Sequence, residues 1–308
     1  MISPVNTDVT RTESLFDDAF LRQLERLRLL VNSPARGAGG GERSISRVGT
    51  GLKFHDHRHY QAGDDVRHVD WKLSARLDQL FMKRYTAEVD TTLNLLLDVS
   101  ASMAFGSPSK FNYCRRLAAA LAVVGLSNMD RVAITLFDSQ SGDRLPFLKG
   151  KGHLRTVLKF LNDCEPATGS VTRFSTPFSD AVASAASPGI VVVISDLLGD
   201  TDTLNALRAL RSRQHDVIVI QILTDEEYTP TLNGILRLID SESGQVVKTT
   251  VDAELRDLYQ TQLQQHLLAI EQTCRMNGFN YVRSSTSVAL EDVILRDLQY
   301  GHYAVRPK

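Results

Sequence analysis

Leu-Leu-Leu-Asp-Val-Ser-Ala-Ser-Met, residues 95–103, runs from three leucines into an aspartate, with serines at the next two alternate positions. An apolar run of strand length that ends this way is a buried strand leaving the core. The polar end has two readings. It either caps the following helix, as Ser and Asp near helix starts commonly do, or gathers oxygen ligands around a cation. Residues i, i+2 and i+4 of an extended loop point to one side. Asp98, Ser100 and Ser102 can therefore converge, while Val99, Ala101 and Met103 face the protein.

Downstream of this run the pattern becomes regular. Strand-length apolar runs at 93–97, 131–137, 190–195, 217–223 and 279–283 are separated by helical patterns at 109–127, 153–162, 177–186, 202–213 and 251–276, and a last helix fits 289–299. Buried strands alternating with helices predict an α/β fold with a doubly wound, mostly parallel sheet. Hairpin-like additions are predicted over 138–148 and over 235–250, the latter turning at Ser241–Gly244. Upstream, Leu15, Phe16, Phe20, Leu24, Leu27 and Leu30 recur at helical spacing and predict an amphipathic helix over 12–31. A glycine-rich break, Arg36-Gly-Ala-Gly-Gly-Gly41, follows; no strand precedes it and no GK[ST] follows, so it is a linker and no phosphate loop. Residues 43–90 predict a small irregular segment with short strands, a turn at Gly63-Asp64-Asp65 and a short helical piece from Trp71. The expected division is 1–90, holding the N-terminal helix, linker and irregular segment, and 91–308 as the sheet domain.

Bulk properties narrow the classes of function. The chain has 308 residues, 43% of them hydrophobic, with 35 Lys plus Arg against 36 Asp plus Glu. That balance excludes a globally basic nucleic-acid or membrane-surface protein. Cys114, Cys164 and Cys274 are dispersed and odd in number, which argues against a disulfide framework or zinc ribbon and fits a reducing cytoplasm. The start lacks a basic, apolar leader pattern, and no apolar stretch reaches about 18 residues, so neither a signal peptide nor a transmembrane helix is expected.

In an open α/β sheet, ligands sit at the carboxyl ends of the strands. Asp98, Ser100 and Ser102 occupy such a place; Asp196 follows the strand at 190–195, and Thr176 precedes the helix at 177–186. Together these five offer two carboxylates and three hydroxyls, which suit magnesium, manganese or calcium and do not suit zinc or copper. So weakly charged a set leaves the cation electrophilic and a position open for a partner's carboxylate.

With these residues in view, the sequence resembles a von Willebrand factor A-type domain carrying a metal-ion-dependent adhesion site. Asp98-Val-Ser-Ala-Ser102 matches DxSxS, Thr176 resembles the threonine-led turn into a helix, and Ile194-Ser-Asp196 resembles the third-motif aspartate. The superfamily often has Gly after that aspartate, where this chain has Leu197. Upstream, Arg58, Tyr60, Gly63, Asp64, Asp65, Arg67, Asp70 and Trp71 resemble the bacterial DUF58 hallmark R-x-Y-x-x-G-D-D-x-R-x-I-D-W, with Val69 in place of Ile. The resemblance implies a von Willebrand-like fold, a magnesium-type site with manganese or calcium as alternatives, and partnership with a MoxR-type AAA ATPase or its client. Family members often carry N-terminal transmembrane helices, and this chain resembles the soluble subset.

Two further clusters have competing readings. His55, His57 and His59 alternate and would share one face of a strand; zinc binding competes there with a polar, hydrogen-bonding face. The Gly63–Trp71 segment reads as a turn, with Arg67 pairing to Asp64 or Asp70 and Trp71 as an anchor, or as a docking patch for a partner. For the whole chain, the expected function is a non-enzymatic, metal-dependent adaptor. The alternative is a phosphatase-like hydrolase with Asp98 as nucleophile; Ser100 stands where its second acid would be needed.

Overall fold

A computed structural model describes residues 15–32, 48–61, 64–86, 92–137, 143–166, 189–198, 215–239 and 245–294. The predicted helices at 177–186 and 202–213 lie outside these residues, as do Gly63 and Thr176. The chain divides into two compact units, residues 1–32 with 91–308 and residues 33–90.

The larger unit is built on a six-stranded sheet. Its strands are β3 (Thr92–Asp98), β4 (Arg131–Phe137), β5 (Arg144–Lys149), β6 (Ile190–Ser195), β7 (Asp216–Leu223) and β10 (Asn280–Ser285), in the spatial order β10-β7-β6-β3-β4-β5. All neighbours are parallel except β5, which returns antiparallel to β4 as the predicted hairpin. Every residue of β3 is buried. Side chains alternate between faces as period two requires. Leu95, Leu97, Val192, Ile194, Ile218 and Ile220 lie in one core, and Leu96, Val191, Val193, Val217 and Val219 in the other.

Helices cover both faces. On the first lie α3 (Lys110–Ser127), α4 (Leu154–Asp163) and α1 (Asp18–Asn32); on the second lies α6 (Ala253–Asn277), through Ile270 and Cys274. This is the expected doubly wound α/β architecture. The helix α1 starts at Asp18 because Asp17 Oδ1 accepts the Phe20 N–H at 2.8 Å, an N-terminal cap. The expected 1–90 grouping differs from the units observed: α1 belongs with the sheet. Its Phe20, Leu24 and Leu27 are buried in the same core as Leu117 and Ala120 of α3. Arg116 strengthens the junction, donating to the Leu15 carbonyl at 2.9 Å and lying 5.2 Å from the Phe20 ring centroid.

Between β7 and α6 stand a short helix α5 (Asp225–Tyr228) and a two-stranded ribbon, β8 (Gly234–Ile239) with β9 (Val246–Val251). One face of the ribbon carries exposed Ile235, Ile239 and Val246, with Arg237 directly opposite Lys248 between them. Among the described residues, no helix is long and apolar enough to cross a membrane.

In the smaller unit, β1 (Val48–His59) pairs antiparallel with β2 (Phe81–Thr86), and α2 (Trp71–Leu77) lies between them in the chain. The strand β1 is longer than the short strands predicted. Asp70 caps α2 by accepting the N–H groups of Lys72 and Leu73, each at 3.1 Å.

Candidate metal centre

The sheet order reverses around β3: the chain passes from β3 to β4 on one side and later returns to β6 on the other. Such a switch point opens a crevice at the carboxyl ends of the strands. Leu97 pairs with Ile194, so Asp98 and Ser195 fall side by side at that edge. Asp98 is 1% exposed. Its Oδ1 accepts the Ser100 N–H at 2.9 Å and its Oδ2 accepts the Ser195 hydroxyl at 2.5 Å. Burial pushes its carboxyl up to about 7, and the nearby Asp196 charge adds to the rise, against the pull of the hydrogen bonds from Ser195 and Ser100.

The two serines beyond Asp98 separate the capping and ligand readings. Ser100 precedes the short 3-10 turn Ala101–Ala104, yet its hydroxyl caps nothing there. It lies 3.0 Å from the Ser102 hydroxyl. The cap of α3 is supplied by Ser109, whose Oγ accepts the Asn112 N–H at 3.2 Å. The capping function thus has its own residue, and Ser100 and Ser102 keep their hydroxyls beside the buried Asp98.

Asp196 joins from the loop after β6 and is 2% exposed. Its Oδ1 accepts the Leu198 N–H at 3.2 Å, and its backbone carbonyl accepts Gln221 Nε2 at 2.7 Å. Leu197, the residue that replaces the more usual glycine, has φ of 52°. The left-handed backbone that glycine would enter freely is therefore retained with a leucine. The leucine is held by burial in the second core, by its N–H on Ser195 Oγ at 2.9 Å, and by His266 Nε2 at 2.6 Å from its carbonyl.

Three residues that sequence reasoning missed complete the crevice: Ser195, Lys110 and Glu227. Lys110 opens α3 and is fully buried; its Nζ donates to Asp196 Oδ2 at 2.7 Å and to Glu227 Oε1 at 2.5 Å. Burial alone would lower the ammonium's pKa, but the charges and hydrogen bonds of Asp196 and Glu227 outweigh it and the net shift is upward. Glu227 belongs to a capping box at the start of α5: its Oε2 accepts the Thr224 N–H at 2.7 Å while Thr224 Oγ1 accepts the Glu227 N–H at 3.2 Å. Gly106 (φ of 98°) lets the loop before α3 approach this turn, since a Cβ there would lie 2.5 Å from Thr224 Cγ2.

The donor set can be tested against the expected cation. Among the described residues, no three His, Cys, Asp or Glu side chains are placed together to hold a metal. Asp98, Ser100 and Ser102 instead supply one buried carboxylate and two hydroxyls, hard oxygen donors of the kind magnesium, manganese and calcium take. These three fit such an ion. Asp196 is shared with Lys110, a feature the five-residue expectation did not contain.

The residues of the second motif form a separate network within the smaller unit. Arg58 grips Asp64 with two hydrogen bonds, 2.7 and 2.6 Å, and Asp64 also accepts the Gln61 N–H at 2.9 Å. The Arg58 guanidinium, helped by that N–H, holds the Asp64 carboxyl below its ordinary value. Asp65 accepts the Arg67 N–H at 3.0 Å, and the Tyr60 N–H reaches the Leu80 carbonyl at 2.9 Å. His57 Nε2 lies 2.9 Å from Asp70 Oδ2, and Lys83 is 3.6 Å from the same oxygen. Asp64 and Asp70 therefore take Arg58 and His57 where the sequence reading offered Arg67. His59 packs on Phe81 with ring centroids 4.7 Å apart, so His57 and His59 both have structural neighbours. Trp71, read from the sequence as an anchor or as part of a docking patch, is 64% exposed.

A family model described as "protein of unknown function DUF58" matches residues 56–268. An uncharacterized protein of Mycobacterium tuberculosis is 28% identical over 265 residues, covering 85% of this chain and 83% of its own length. Among solved structures, the conserved hypothetical protein BatB from Bacteroides thetaiotaomicron aligns with a TM-score of 0.46 at 16% identity, covering 70% of this chain and all of its own. An aerotolerance-related membrane protein from Bacteroides fragilis aligns with a TM-score of 0.43 at 17% identity, covering 68% of this chain and 99% of its own. The doubly wound assignment rests on this chain's own strand order.

Proposed function

The chain belongs to the DUF58 family, and we propose that it is a metal-dependent protein-binding module whose cation site lies at the switch point of the sheet. Asp98, Ser100 and Ser102 are the ligands this reading relies on, with Asp196 in support and Thr176 as a further candidate. Magnesium is the first choice, ahead of manganese and calcium, because the donors are hard and mostly neutral. So few charged ligands leave the bound ion able to accept a carboxylate from a partner protein. The partner class we propose is a MoxR-type AAA ATPase or the client it remodels, with this chain as adaptor.

One observation carries the reading: Ser109 caps α3, so the Ser100 and Ser102 hydroxyls stand free of helix capping beside a buried carboxylate. Binding is favoured over hydrolysis because Ser100 sits two residues beyond Asp98, where the phosphatase-like alternative would need a second acid. The test is manganese and magnesium titration of the full chain by calorimetry, with Asp98→Ala and Ser100→Ala in parallel. Binding to the parent chain that both substitutions abolish, with far-UV circular dichroism unchanged, is the expected result. Metal binding that survives Asp98→Ala would place the ion elsewhere, and partner capture unaffected by EDTA would remove the metal-bridged contact.

A further inference from the structure

Lys110 stands where a lysine is least expected. The first residue of a helix meets uncapped N–H groups and the positive end of the helix dipole, which favour an anion. Yet this side chain is fully buried, and burial of an ammonium is tolerated only when it is paired. Its partners come from two other strand ends: Asp196 after β6, with Nζ 2.7 Å from Oδ2, and Glu227 after β7, with Nζ 2.5 Å from Oε1. Each carboxylate turns its other oxygen to a backbone N–H, Asp196 to Leu198 and Glu227 to Thr224. One positive charge supplied by the chain thus clasps three loops, and one of its two carboxylates is the aspartate that a cation beside Asp98 would use.

We propose that Lys110 is a built-in cation that competes with the divalent ion for Asp196 and so holds down the metal affinity of the Asp98–Ser100–Ser102 cluster. The proposal rests on the metal reading above and makes Lys110 a positioning residue that acts through Asp196. Glu227 moderates the competition by drawing the same ammonium towards the β7 end. At an effective dielectric of about 20, a unit charge within roughly 10 Å of a divalent ion changes its affinity on the order of a hundred-fold. Removing the charge should therefore tighten binding, and removing its second partner should weaken it.

The experiment is manganese titration of the full chain, followed by the electron paramagnetic resonance signal of free Mn2+, for the parent, Lys110→Met, Lys110→Arg, Glu227→Gln and Asp98→Ala. Lys110→Met should bind at least about tenfold tighter than the parent, Lys110→Arg should stay near it, and Glu227→Gln should bind several-fold more weakly. A lysine that only props up the fold would weaken binding when lost, as Glu227→Gln does, so the opposite signs separate the two roles. If Lys110→Met leaves Asp196 and Glu227 too repulsive to fold, its recovery of helical circular dichroism on adding Mn2+ is the expected result. Should it stay unfolded with Mn2+ present, the ion does not take over the place of the ammonium beside Asp196, and the inference is overturned. Parent binding that Asp98→Ala abolishes but Lys110→Met leaves equal or weaker overturns this inference and leaves the metal reading standing. Binding seen in Lys110→Met alone would uphold the inference and overturn the metal reading for the parent protein.

Discussion

Leu197 sets two opposed effects on one residue, and its replacements should rank in an unusual order. Its φ of 52° places a branched side chain in the left-handed region, at a cost of roughly 1–2 kcal/mol. Its side chain is 0% exposed and packs in the core that holds Val193, Val219, Ile270 and Phe279. Truncation to alanine removes that packing, a loss of about 2–5 kcal/mol, and leaves the backbone penalty because alanine keeps its Cβ. Truncation to glycine loses the same packing and releases the penalty. At a residue with negative φ, glycine is the worse choice by about 0.4–1 kcal/mol, since it frees the unfolded chain. At residue 197 the relief should cancel or exceed that difference. Leu197→Gly is expected to match Leu197→Ala or surpass it by up to ~1.6 kcal/mol, with both well below the parent. Urea unfolding in EDTA, compared at a common m-value, measures the order directly. A glycine variant about 1 kcal/mol less stable than the alanine variant would refute the left-handed assignment and, with it, the account of how the Asp196 loop turns.

The division of labour among the serines gives a second prediction. Ser109→Ala should destabilise the protein by about 1 kcal/mol through loss of the α3 cap while leaving Mn2+ binding intact, whereas Ser100→Ala should lose Mn2+ binding with the cap in place; thermal melts and calorimetry on both variants check it, and loss of binding in Ser109→Ala would upset the assignment. A third concerns acid. His57, followed by the Leu73 N–H, holds the Asp70 carboxyl at about 2, below its ordinary 3.8, so the stability it contributes is full above that ordinary value and is lost as pH falls through about 2. Asp70 caps the helix that Trp71 begins, and Trp71 is the only tryptophan in the chain, so its fluorescence should change between about pH 4 and pH 2 and the change should vanish in Asp70→Asn; an emission change centred above pH 4 that persists in Asp70→Asn would count against the capping network.

Much of the fold was legible because its strands announce themselves. A strand buried on both faces needs a mostly apolar run, and β3, β6 and β7 have one each, broken only by Asn94 in β3 and Gln221 in β7. Once β3 is central, the switch-point rule brings Asp98 beside the loop that holds Asp196, and that adjacency was foreseen. Less legible were pairings that need the folded chain. Lys110 meets Asp196 and Glu227 across 86 and 117 residues of sequence. Local signals existed all the same: a lysine directly after a serine cap conflicts with the helix dipole, and Thr224-Asp-Glu-Glu227 is a capping box at a strand end. The smaller unit was harder, because its short-range ion pairs have several combinatorial solutions; Arg58 and His57 won over Arg67 as partners of Asp64 and Asp70. Trp71 carries two readings in the sequence, an anchor or part of a docking patch, because an aromatic residue beside a turn can serve either; it stands exposed.

The like-charged rung of the β8–β9 ribbon bears on how the protein behaves at high concentration. Arg237 and Lys248 repel each other across the ladder, which weakens the hairpin on its own account. Among the described residues the two-stranded sheet also keeps two outer edges without a strand partner, here flanked by Ile235, Ile239 and Val246. When two ribbons approach edge to edge, four cations would have to gather within a few ångströms, so the charge that strains the hairpin protects the solution from self-association. That protection has the range of the ionic atmosphere, about 10 Å at 0.1 M salt and 3 Å at 1 M. Strong salt therefore turns this exposed apolar ribbon face from a guarded edge into a sticky one.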